Sequence, residues 1–153
     1  MKGFGEKKQL KNEKNSHKNQ DHNIDKLIKK AFNLQSQGKK LEAAKYYSYL
    51  IKKGLKDYRV FSNYGAFLQE VGKFREAEIE LKKAIKLNPK YPNSHYNLAG
   101  LFIQIGNLDN AEIHLRKAIA LKSDFAIAYY NLGFILKDLG RLEEAEKFTK
   151  KAI

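Results

Sequence analysis

A period of 34 residues constrains this chain more than any other feature. FSNYGAFLQEVGKFREAEIELKKAIKL begins at Phe61, HYNLAGLFIQIGNLDNAEIHLRKAIAL at His95, and YYNLGFILKDLGRLEEAEKFTKKAI at Tyr129. Self-similarity at such a period belongs to units that cannot bury their apolar faces alone and must stack on copies of themselves. Gly38, Gly72, Gly106 and Gly140 each follow an apolar run. Glycine there can adopt the left-handed conformation that ends a helix. Each copy therefore predicts two helices: 58–71 and 74–87, 92–105 and 108–121, 126–139 and 142–153. Pro89, after Asn88, stops the second helix of its copy, whereas Ser123 takes the equivalent place in the next.

Small residues recur where helices must approach closely. Ala31, Gly65, Ala99 and Gly133 fall midway along the first helices, and Ala43, Ala77, Ala111 and Ala145 near the start of the second ones. Ala84, Ala118 and Ala152 mark where a second helix meets the following repeat. Larger residues such as Leu68, Phe102, Leu136, Leu81 and Leu115 fill the space around them. A worn first copy over 24–57 shows Ala31, Leu34, Gly38, Ala43, Tyr47 and Leu50 at matching positions. Its first helix carries Lys29 and Lys30 where later copies have Asn and an apolar residue, as expected of a terminal repeat.

These positions resemble the tetratricopeptide (TPR) motif. Phe61/His95/Tyr129, Tyr64/Leu98/Leu132, Gly65/Ala99/Gly133, Ala77/Ala111/Ala145, Ala84/Ala118/Ala152 and Pro89 match its large-hydrophobic, Leu, Gly/Ala, Ala, Ala and Pro positions. His95 departs from the usual aromatic and Thr149 from the usual large residue, with Phe148 beside it to fill the gap. The resemblance covers 24–153 and implies an all-α superhelical solenoid of about four helix-turn-helix repeats. The expected division is a disordered basic tail over 1–23, a divergent repeat over 24–57, repeats over 58–91 and 92–125, and a truncated one over 126–153.

Charge and composition narrow the function. The net charge of +13 is concentrated before residue 58. A basic tail attracts nucleic acid, acidic proteins or anionic lipid through its field alone. Residues 1–57 contain no Arg, and the tail has Phe4 as its single aromatic residue. Nucleic-acid binders interleave stacking aromatics and Arg with their charge, so a solvated tail is the expectation and nucleic acid is not. The chain has no Cys, which excludes disulfides, thiolate metal sites and a cysteine nucleophile. No apolar run is long enough to span a membrane, and the N-terminus lacks a signal-peptide core, so a cytoplasmic protein is expected.

Nothing in the motifs predicts an enzyme, a cofactor or a metal. His17 and His22 read as polar tail residues, His95 as a packing residue, and His114, beside Leu115 on a second helix, as surface. Glu78–Lys82, Glu112–Arg116 and Glu146–Lys150 are i,i+4 pairs that read as a solvated outer face.

Asn63, Asn97 and Asn131 recur once per first helix. Asn is a mediocre interior helix residue, so its recurrence needs a reason. A carboxamide can both donate to and accept from one peptide unit. Helices stacked about 8–10 Å apart match about three residues of extended chain. One Asn per repeat can thus step along an extended peptide. Alternatively, the three were copied with the repeat and bond between neighbouring helices. Tyr96 and Tyr130, one residue earlier, either flank the groove or pack. Asn131-Leu132-Gly133 and Asn97-Leu98-Ala99 resemble the asparagine ladder of the O-linked N-acetylglucosamine transferase TPR region. That resemblance implies a groove in which Asn63, Asn97 and Asn131 hold a peptide backbone. Chaperone-binding TPRs instead grip a terminal carboxylate with Lys, Asn and Arg. The matching positions here (Ser62, Ala66, Asn97, Ile127, Asn131) keep only the central Asn.

The expected function is a protein-interaction scaffold binding a peptide or partner protein in its concave groove. The chain stops at Ile153, inside the last predicted helix. Two explanations follow. It is the front of a larger transferase-type enzyme, as the MKGFGEKK opening suggests by its likeness to such bacterial proteins. Or it is a short adaptor that covers its last repeat by self-association or with a partner.

Overall fold

The computed structural model describes residues 23–152, and every regular element among them is helical. Helix α1 occupies 23–36. It is followed by α2 (Lys40–Lys52), α3 (Tyr58–Glu70), α4 (Phe74–Leu87), α5 (Pro92–Gln104), α6 (Leu108–Leu121), α7 (Ala126–Asp138) and α8 (Leu142–Lys151). The fold is the all-α repeat fold expected. Asn23, placed in the tail for its polarity, stands at the start of α1. The expected disorder of the tail, and His17 and His22 within it, lie outside the described residues.

The helix ends follow local chemistry. Gly72, Gly106 and Gly140 have φ of 77°, 76° and 76°. The N–H of Gly72 donates to Gln69 O and that of Lys73 to Leu68 O, at 3.1 and 2.8 Å. This pair of bonds is a Schellman closure, and it satisfies carbonyls that the helix end would otherwise orphan. Gly106 and Gly140 close α5 and α7 in the same way. At the other end, Asp57 accepts from Arg59 N at 2.8 Å and caps α3, and Pro92 opens α5 at a position that needs no donor.

The described chain forms two compact units that divide between Leu55 and Lys56. The first contains the α1–α2 hairpin, whose core is Ala31, Leu34, Ala43, Tyr47 and Leu50. These are the residues by which the worn repeat was recognised. The second stacks three hairpins, α3–α4, α5–α6 and α7–α8, with α4 against α5, α6 against α7, and α3 alongside α5. Ala77, Leu81, Leu98, Ala99, Ala111, Leu115 and Leu132 are almost wholly removed from solvent there. The small positions are small for a geometric reason. A Cβ on Gly65 would lie 2.7 Å from Leu81 Cγ and 3.2 Å from Ala77 O. A Cβ on Gly133 would run into Thr149 Oγ1. Thr149 therefore stands on the close-approach face of α8 and donates to Ala145 O at 2.8 Å. Phe148 fills space beside it, with its ring centroid 6.1 Å from that of Tyr129.

Candidate functional site

The first helices of the second unit carry the residues singled out in the sequence, and the structure joins them in series. Asn97 Nδ2 on α5 donates to Ser62 on α3, at 3.2 Å to Oγ and 3.4 Å to the carbonyl oxygen. Asn131 Nδ2 on α7 donates to the Tyr96 hydroxyl on α5 at 3.4 Å. Ser62 and Tyr96 occupy the same place in their repeats, so one contact is used twice. All three asparagines are half-buried. Tyr96 is half-buried too, with its ring 5.0 Å from that of Phe125. Tyr130, the next residue in the series, is 57% exposed. It shares the open face of the last hairpin with Phe134 and Leu142, around a hollow of about 350 Å³.

Distances of 3.2–3.4 Å are at the long end for such bonds, so these cross-helix contacts hold the carboxamides weakly. They use only the amide nitrogens. The Oδ1 atoms of Asn97 and Asn131 remain as acceptors, with two lone pairs each. The arrangement can receive amide N–H groups at two successive steps along α5 and α7.

Two sequence readings are corrected by the tertiary structure. His114, read as surface, is half-buried and packs against His95 and Phe102, with ring centroids 5.4 and 5.7 Å away. His95 is 3% exposed. Its Nε2 lies 2.9 Å from Pro89 O, and its Nδ1 lies 3.1 Å from Nδ1 of His114. A carbonyl can only accept, so His95 Nε2 carries a hydrogen. In the neutral pair His114 Nδ1–H then donates to His95 Nδ1. Burial, the neighbouring His95, and the charges of Lys117 and Lys82 push the His114 pKa down to about 4. The sequence signal was available in principle, since position four of one helix and an inward position of the next face each other in every hairpin. It was missed because His is compatible with either a surface or a core place.

The second correction concerns the outer face. Glu78–Lys82 and Glu146–Lys150 form the expected i,i+4 pairs. Glu112–Arg116 is part of something larger. Glu112 accepts from both Arg116 and Arg141, each at 2.7 Å, and Glu144 binds both arginines in turn. The four side chains tie α6 to the start of α8. Partial burial alone would raise the pKa of Glu112, but hydrogen bonds from Arg116 and Arg141 outweigh it and hold it below the ordinary range. Glu112→Gln should lower the thermal midpoint slightly, and high salt should shrink the difference between variant and parent. Melting curves at low and high sodium chloride measure this. A deficit that salt leaves untouched would show that the network contributes through packing alone.

Among the described residues no group of three or more His, Asp or Glu side chains is placed to hold a metal ion. No helix among them is long and apolar enough to cross a membrane.

Comparison with known proteins agrees with this architecture. Tetratricopeptide repeat models match residues 58–91 and 80–113, and a TPR repeat model matches residues 100–140. No curated protein matches the chain. Among solved structures, MamA is 24% identical, with a TM-score of 0.76 over 99% of this chain and 94% of its own. YrrB, a TPR protein with an unusual peptide-binding site, is 20% identical, with a TM-score of 0.68 over 80% of this chain and 63% of its own. The O-GlcNAc transferase of Thermobaculum terrenum is 23% identical, with a TM-score of 0.69 over 74% of this chain but 22% of the enzyme. At these identities the likeness is one of fold.

Proposed function

Because the chain belongs to the tetratricopeptide repeat family, we propose that it is a protein-interaction module whose second unit binds an extended peptide along α3, α5 and α7. Asn63, Asn97 and Asn131 hold the peptide backbone, and Tyr96 and Tyr130 flank it. The observation that supports this reading most is the repeated carboxamide contact. Asn97 and Asn131 are each oriented by Nδ2 bonding to the preceding first helix, which leaves an acceptor for a peptide N–H. The same bond that links neighbouring repeats therefore pre-orients the group that binds, which lowers the ordering cost of association. The fold shared with YrrB, itself a TPR protein with a peptide-binding site, agrees with it.

The test is a displayed library of short peptides selected on the intact chain, followed by titration of the selected peptide. Changing Asn63, Asn97 and Asn131 together to Ala should weaken binding about tenfold or more, since each net hydrogen bond contributes roughly 0.5–1.5 kcal/mol. Circular dichroism should show that the variant keeps its helix content. Selected peptides that bind parent and variant equally would remove the asparagines from the site.

A further inference from the structure

The first unit has a surface of a different kind. Its α1–α2 hairpin leaves two adjoining hollows of about 520 and 310 Å³. The larger is lined by Asn23, Leu27, Lys45, Tyr46 and Tyr49. The smaller shares Asn23, Leu27 and Tyr49 and adds Ile24, Lys53 and Leu55 among its walls. Tyr49 is 49% exposed. None of the described residues lining either hollow is acidic. Residues 23–55 carry eight lysines against Asp25 and Glu42, so the hairpin as a whole is strongly positive. The walls are apolar and aromatic, and cations stand at the edge.

We propose that these hollows dock an acidic peptide segment of a partner protein, with one apolar side chain seated between Leu27 and Tyr49 and carboxylates set against Lys45 and Lys53. Apolar burial supplies the anchor, and complementary charge selects the partner and speeds encounter. The tyrosines are not arranged as a stacking platform for nucleotide bases. Lys30 Nζ lies over the Tyr46 ring at 5.1 Å from its centroid, and Lys53 Nζ lies 5.7 Å from that of Tyr49. Each ring thus already has a cation on one face, and residues 23–55 contain no Arg. A carboxylate can bridge to those ammonium groups without displacing them. This site is in the other unit from the asparagine series, so the two proposals stand or fall separately.

The experiment uses the full chain and a short fluorescein-labelled peptide in which acidic residues flank one phenylalanine, read by anisotropy. Binding should weaken about tenfold or more in the Lys45→Glu, Lys53→Glu double variant, and severalfold in Tyr49→Ala, a half-exposed position where truncation spares the core. It should be unchanged when Asn63, Asn97 and Asn131 are all Ala. A peptide with serine for the phenylalanine, or lysines for the acids, should bind much less. Affinity indifferent to the lysine reversal or to the loss of the phenylalanine would overturn the proposal. So would binding that disappears when residues 1–22 are deleted but survives the lysine reversal. Tighter binding of oligothymidine or phosphatidylserine vesicles at the same lysines would also overturn it and assign the surface to that class.

Discussion

Leu115→Ala is expected to cost about 2–5 kcal/mol, the range for removing a fully enclosed leucine side chain when its surroundings relax only in part. Leu115 has no exposed surface. It lies in the core cluster of the second unit with Leu98, Ala99, Phe102 and Ala111. In a repeat fold each hairpin is supported only by its neighbours. The middle hairpin, α5–α6, is supported by hairpins on both sides within its unit, so a cavity there weakens two interfaces. The thermal midpoint should fall by roughly 4–8 °C per kcal/mol for a unit of this size. Leu142→Ala is the matched control. Leu142 has the same side chain but is 64% exposed, and its loss should stay within about 0.5 kcal/mol. Chemical denaturation of both variants measures the difference directly. Equal effects would mean that Leu115 is not in the core described.

Acid should unfold the second unit earlier than its carboxylates alone dictate. His114 titrates near its ordinary 6.5 when unfolded but only at about 4 when folded. Between these values the unfolded chain binds more protons, so stability falls as pH falls. The contribution is fully present above about 6.5 and lost on the way down to about 4. The full shift would correspond to about 3 kcal/mol. His114 is only half-buried, and solvent screening reduces this to roughly 1–3 kcal/mol. Burial is the leading cause. His95 and the ammonium groups of Lys117 and Lys82 add repulsion toward a second positive charge. His114→Gln keeps an N–H donor for His95 Nδ1 and removes the titration. Urea unfolding across this window should therefore show a flatter pH dependence in the variant. An unchanged slope would place the titrating group elsewhere. Glu112 acts in a different window. Its pKa is held below the ordinary 4.5, so its contribution is lost only as pH falls further. The two groups can be told apart by where the loss begins.

The proposed site divides along the same line. Asn63, Asn97 and Asn131 were legible because they recur with the repeat. Their bonding was left open between a peptide and a neighbouring helix. The structure supplies the neighbouring-helix contacts for Asn97 and Asn131, and the peptide remains the proposal. The lysine-rimmed hollows had no sequence signal beyond charge, because Leu27, Tyr46 and Tyr49 belong to the worn repeat and match no motif position of the later copies.

The sequence by itself determined the hairpin, its length and its stacking. Apolar spacing, a glycine at each first-helix end and small residues at close approaches act through the chain's own backbone and the adjacent copy. Those interactions repeat every 34 residues. Only the tertiary structure decided which polar side chains meet. His95 finds His114, Arg141 reaches Glu112 across 29 residues, and Asn97 reaches Ser62 across 35. Such contacts depend on how each helix is rotated against the next and on how far a side chain extends. A period specifies neither, so one family pattern carries a histidine pair in one hairpin and an arginine–glutamate network between two others.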